Sequence, residues 1–203
     1  MLQEVKDYLQ RKSKSLMVRF SSVGSPLPIK LFKLKESWTD FVNDYSKISL
    51  SCDLTFKKGI QYLCPLTNQK KWSYISESYA YANCVNFANR LNYKIYKNAY
   101  KRYNKRLDMV CVIEGGKKDL RSYSKEDKRL HAHIGVELPT GYTFSEFREI
   151  LLKCWNDTEW GNRQNQISYL RNRSAYSRYQ IKDSLDSVVV EASNMSLSWE
   201  LTV

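Results

Sequence analysis

Arg129-Leu130-His131-Ala132-His133-Ile134-Gly135-Val136-Glu137-Leu138 alternates side chains of two kinds along its length. Period-two alternation marks a strand with one buried face. Leu130, Ala132 and Ile134 face one way; His131, His133 and Gly135 face the other. Pro139-Thr140-Gly141 ends the strand, and the polar stretch from Gly115 to Lys128 reads as the loop before it. Upstream, Asp108-Met109-Val110-Cys111-Val112-Ile113-Glu114 is largely apolar and reads as a central strand, antiparallel to the first.

Working outward, Ile48 to Phe56 also alternates, and Lys57-Lys58-Gly59 closes it. Residues 60–75 show no clear period, with a turn at Cys64-Pro65. Ser76 to about Tyr103 predicts one long helix with Ala80, Cys84, Phe87, Leu91 and Ile95 on its apolar stripe. Thr143-Phe144-Ser145-Glu146 has capping-box spacing ahead of a second helix through Trp155. Gln166 to Leu170 predicts a short strand, and Ser174 to about Leu185 a helix with Ser174 as N-cap. The order β, long α, β, β, α, β, α predicts an α+β fold: a central antiparallel sheet with helices packed on it. Residues 1–46 read as a helical appendage, 47–187 as the main domain, and 188–203 as a tail that adds an edge strand or a linker.

The chain of 203 residues carries 33 Lys+Arg against 21 Asp+Glu, a formal net charge of +12. Such a field attracts polyanions, nucleic acid first among them. No run approaches the roughly 20 apolar residues a membrane helix needs. The start, Met1 to Asp7, is charged and lacks an apolar segment, so a cytoplasmic protein with no membrane partner is expected. Five cysteines without C-x-x-C spacing predict reduced thiols.

The chain's two histidines stand as His131-Ala132-His133. On a strand, i and i+2 project from one face about 7 Å apart, so two imidazoles can share one divalent ion. The paired strand offers Glu114 as a third ligand, with Asp53 and Glu137 as competitors. One carboxylate and two imidazoles leave positions open for phosphate oxygens, which suits Mg²⁺ or Mn²⁺. Downstream, Tyr179-Gln180-Ile181-Lys182 places a phenol and an ammonium on one helical face, a nucleophile beside a cation.

Strand 48–56 with Leu54-Thr55-Phe56, then Glu114 and His131-Ala132-His133, then Tyr179-x-x-Lys182, resembles the HUH endonuclease superfamily. It looks most like the rolling-circle replication initiators (Rep proteins) of plasmids, phages and single-stranded DNA viruses. The likeness covers about residues 47–187 and has the motif order of those initiators, with the tyrosine after the histidines. The first motif, Cys52-Asp53-Leu54-Thr55-Phe56, fits their pattern loosely, and Ala132 is smaller than the usual central residue.

The resemblance implies an HUH or RRM-like palm and a metal held by His131, His133 and Glu114. It implies Tyr179 as nucleophile with Lys182 as its companion; Tyr176, three residues earlier, is the second choice. The activity implied is site-specific nicking and joining of single-stranded DNA through a 5′-phosphotyrosine link, starting and ending rolling-circle replication. The expected partners are an origin hairpin and a host or separate helicase, since no G-x-x-x-x-G-K-[ST] occurs. The setting is then the cytoplasm of a bacterial host, or the nucleus of a eukaryotic host if the protein is viral. Lys57, Lys58, Arg90, Lys94, Arg129 and Arg178 are the expected backbone contacts, and Trp72, Tyr74 and Tyr79 are candidates for base stacking. Two other readings are a single-tyrosine transposase of a small insertion sequence and a nucleic-acid-binding protein without catalysis.

Overall fold

In the computed structural model the described residues are 47–116, 128–180 and 187–194. The chain divides into two units: Lys47–Leu170 with Asp186–Val203, and Met1–Ser46 with Arg171–Leu185. In the first unit, β1 (Ile48–Thr55), β4 (Met109–Gly116), β5 (Lys128–Glu137) and β6 (Gln166–Tyr169) form one sheet in the order β4-β5-β1-β6. All its pairings are antiparallel. β2 (Gly59–Leu63) and β3 (Lys70–Tyr74) form a separate two-stranded ribbon. The expected α+β architecture is the one observed.

The alternation read in the sequence sorts the sheet. Leu50, Cys52 and Leu54 of β1 join Leu130, Ala132, Ile134 and Val136 of β5 and Cys111 of β4 in one buried cluster. Helix α1 (Glu77–Tyr96) caps that face with Ala80, Cys84, Phe87 and Leu91, and helix α3 (Phe144–Asn156) adds Phe147, Leu151 and Trp155. Each buried side chain of this size contributes roughly 1.5–3 kcal/mol. The opposite face carries Ser51, Asp53 and Thr55, paired with Gly135, His133 and His131. The five cysteines are buried and unpaired, and burial pushes the Cys52 thiol well above its usual range.

β4, read as a central strand, stands at the end of the four-stranded sheet, and three further features differ from expectation. The long helix breaks at Lys97, whose φ of 46° lies in the left-handed region, and resumes as α2 (Asn98–Tyr103). Asn92 explains the sharp return: its buried side chain donates to the Ala88 carbonyl and accepts from the Leu107 amide, pulling the chain back toward β4. In the second unit, helix α4 spans Arg173–Gln180, and the Ala175 amide donates to Asn172 Oδ1. Asn172 therefore caps this helix, two residues earlier than Ser174 would. Thr143 does cap α3, and both halves of its box with Glu146 are formed. The third difference is the β2–β3 ribbon, where the sequence shows no period.

Residues 187–194 run along the outer edge of β4, with Val188 bridging Val112 and Asn194 bridging Met109. Val189 and Ala192 belong to the core cluster. Residues 1–46, with the expected helices near Leu2 and Ser37, and the loop 117–127 lie outside the described residues. Among the described residues, no helix is long and apolar enough to cross a membrane.

The far end of β1 is held by the chain between α3 and β6. Thr55 donates its amide to Asn165 Oδ1 and its hydroxyl to the Gln164 carbonyl, while its own carbonyl accepts from Asn162 and Trp155. Asn83, buried in α1, ties the same segment through Thr158 Oγ1 and the Trp160 amide. Gly161 sits where a Cβ would lie 2.0 Å from the Trp155 carbonyl oxygen. We expect Gly161→Ala to cost about 1–3 kcal/mol in urea unfolding, because backbone must move to admit the methyl. A neutral result would show that this segment is looser than its hydrogen bonds indicate.

Candidate metal centre

The polar face of the sheet gathers three potential ligands. Glu114 on β4 lies across from His131 on β5, and Asp53 on β1 lies across from His133. Since i and i+2 share a face, Glu114 is also the diagonal neighbour of His133. One ligating atom from each of Glu114, His131 and His133 lies within 4.8 Å of the other two. Glu114 Oε2 is 2.8 Å from His133 Nε2 and 3.5 Å from His131 Nε2. The two imidazoles meet edge to face at 4.6 Å between centroids. Immediately after Glu114 the register slips, and Gly115 takes a φ of 96°. A bulge at this position re-aims the strand end and with it the carboxylate.

The donor set tests whether a cation fits. His133 is 3% exposed and is flanked by two carboxylates: Asp53 Oδ1 stands 2.5 Å from Nδ1, opposite Glu114 on Nε2. A neutral imidazole has one ring proton and can serve only one of them. With one proton on Nδ1 toward Asp53, the contact from Nε2 to the buried Glu114 oxygen calls for either a second ring proton or a cation. A cation there would also have His131 within reach, so the group could hold a metal ion. Asp53 is then the partner that fixes the tautomer and ring orientation of a metal ligand, and such partners tune affinity strongly. We expect Asp53→Asn to weaken Mn²⁺ binding about 10–100-fold by calorimetry. Unchanged affinity would reduce Asp53 to a solvent-facing charge.

Asp53, the competing carboxylate, hydrogen-bonds His133 and is not in the group with Glu114 and His131. Glu137 is engaged at the opposite end of β5, where its carboxylate accepts from Tyr96 Oη and the Asp108 amide. Burial there pushes the Glu137 carboxyl up, and burial with the nearby carboxylate pushes the Tyr96 phenol up to about 12.

The remaining candidates separate. Arg90 and Lys94 are exposed on α1, on the helix-covered side of the sheet. They border a groove of about 410 Å³ with Glu149 and Lys153, and Arg90 donates to Asn86. Helical spacing places them on the solvent side of a helix whose apolar stripe covers the sheet face opposite His131 and His133. Lys57 follows β1 and donates to the Glu159 carbonyl, and Lys58 is exposed beside it. Arg129 is on β5, two residues before His131, with its side chain outside the described residues. Tyr79 stacks on Trp160, while Trp72 and Tyr74 are exposed.

Tyr176, Arg178 and Tyr179 are on α4 in the second unit; Tyr179 is 45% exposed and Tyr176 half-buried one turn away. Lys182 lies outside the described residues. No protein family, curated protein or solved structure matches the chain.

Proposed function

We propose that this protein is a metal-dependent enzyme of the HUH type that nicks and rejoins single-stranded DNA to start and finish rolling-circle replication. The observation supporting it is the convergence of Glu114, His131 and His133 on the polar face of an antiparallel sheet. Mg²⁺ or Mn²⁺ bound there supplies Lewis-acid polarisation of a phosphate oxygen. Asp53, bonded to His133 Nδ1, would hold the ring with Nε2 as the atom that ligates such an ion. Tyr179 is the nucleophile: its Oη gives up a proton and bonds to phosphorus as the P–O3′ bond breaks. The departing 3′ oxygen takes a proton, leaving a free 3′-OH and a 5′-phosphotyrosine. Lys182, three residues on, stabilises the phenolate and the leaving oxygen by charge. Attack by a 3′-OH on the phosphotyrosine reverses each bond change and joins the strand, so no nucleotide triphosphate is consumed.

The test is incubation of the full chain with labelled single-stranded DNA pools containing candidate origin sequences, with Mn²⁺ or with EDTA. A covalent protein–DNA band that needs the metal is expected. Metal-independent binding without any covalent band would leave a DNA-binding protein with no strand chemistry.

A further inference from the structure

The β2–β3 ribbon places its aromatic rings in an unusual position. Trp72 and Tyr74 stand at i and i+2 on β3 and so share one face of the ribbon, opposite Gln61 and Gly59. Both rings lean over Gly59, where a Cβ would lie 3.4 Å from Trp72 Cε3 and 3.4 Å from Tyr74 Cδ1. Ile60, of the opposite parity, packs against the core. Trp72 is nevertheless 61% exposed and Tyr74 72%. The ribbon thus packs Ile60 against the core and leaves its rings, Tyr62 on β2 and Trp72 and Tyr74 side by side on β3, exposed to water, although each ring could bury roughly 150–250 Å². Adjacent exposed apolar surface of this kind marks a contact site.

Charge identifies the partner. From Asp53 to Glu77 the chain carries Lys57, Lys58, Lys70 and Lys71 and no acidic residue between. Lys58, Lys70 and Lys71 are exposed. Lysines interleaved with exposed rings match a chain of phosphates bearing flat apolar groups, which is unpaired nucleic acid. Duplex bases present no free face to a ring. The ribbon also begins four residues after Thr55, whose Cα pairs with His131, so it leaves the sheet at the strand end that carries the metal centre.

We infer that the β2–β3 ribbon is a base-stacking platform that holds single-stranded DNA on Trp72 and Tyr74, with Lys58 and Lys70 on the phosphates. The choice of DNA over RNA rests on the nicking function proposed above; the stacking does not. Binding of a short fluorescein-labelled single strand to the full chain is followed by anisotropy in EDTA, which removes metal chemistry from the readout. Trp72→Ala and Tyr74→Ala each weaken binding roughly tenfold, and the pair about a hundredfold. Trp72→Phe with Tyr74→Phe retains affinity within a few-fold, because the rings remain. Lys58→Ala and Lys70→Ala each lower the slope of log affinity against log salt by about one.

A double-alanine protein that binds within twofold of wild type, or a wild-type protein that binds a duplex as well as a single strand, overturns the platform and leaves the nicking function standing. Preference for an RNA strand of the same sequence overturns the DNA assignment. Ring-dependent binding of single-stranded DNA with no covalent product under Mn²⁺ supports the platform while removing the nickase.

Discussion

Replacing His133 with Ala is expected to abolish Mn²⁺ binding and, with it, covalent capture of DNA. This imidazole is the hinge of the polar face: Glu114 lies 2.8 Å from one nitrogen and Asp53 2.5 Å from the other. Its removal takes away a ligand and leaves the buried Glu114 carboxylate beside an empty space, an arrangement that costs about 3–5 kcal/mol when a buried charge loses its partner. Loss of function could then reflect a lost fold. His131→Ala separates the two effects, because His131 is more exposed and its contact to Glu114 is the longer one, at 3.5 Å. That variant should melt near the wild-type temperature and still fail to bind Mn²⁺ tightly in calorimetry. Wild-type Mn²⁺ affinity in folded His131→Ala would remove the metal centre from the account.

Tyr179→Phe deletes one oxygen atom and should lower adduct formation at least about a thousandfold, the scale on which removal of a nucleophile acts. Tyr176→Phe should leave the adduct. Both tyrosines lie on α4 one turn apart, and Tyr179 is the one followed three residues later by a lysine. Gel quantitation of adduct from the two variants decides between them. An adduct that survives Tyr179→Phe and disappears in Tyr176→Phe would transfer the nucleophile to Tyr176.

The fold is legible in this sequence wherever burial imposes a period. β5 and β1 each face a core on one side and carry polar groups on the other, so their alternation is sharp. The capping box at Thr143 is written in four consecutive residues and is formed as read. What escapes the sequence depends on contacts distant in the chain. The break at Lys97 follows from Asn92 reaching the Leu107 amide, 15 residues on. The β2–β3 ribbon buries little, so no apolar period announces it; the signal that could have found it is Lys-Lys-Trp-Ser-Tyr in a stretch without acidic residues.

The Glu114, His131 and His133 group is legible for the same reason as the sheet. His131 and His133 share a face because the strand has period two, and Glu114 joins them because β4 and β5 pair antiparallel. Asp53 was visible as a nearby carboxylate, yet its bond to Nδ1 rather than to the metal side depends on β1 lying across β5 from β4. Arg90 and Lys94 show the opposite limit: a basic stripe on a helix reveals charge and says nothing of which sheet face that helix covers.

The most direct measurement is mass spectrometry of peptides from the protein after incubation with single-stranded DNA and Mn²⁺, followed by nuclease trimming. The account predicts a nucleotide phosphate attached to the peptide containing Tyr179 through its phenolic oxygen. A nucleotide found on any residue outside Tyr176 and Tyr179, or unmodified tyrosine peptides from protein that demonstrably binds both Mn²⁺ and DNA, would contradict it.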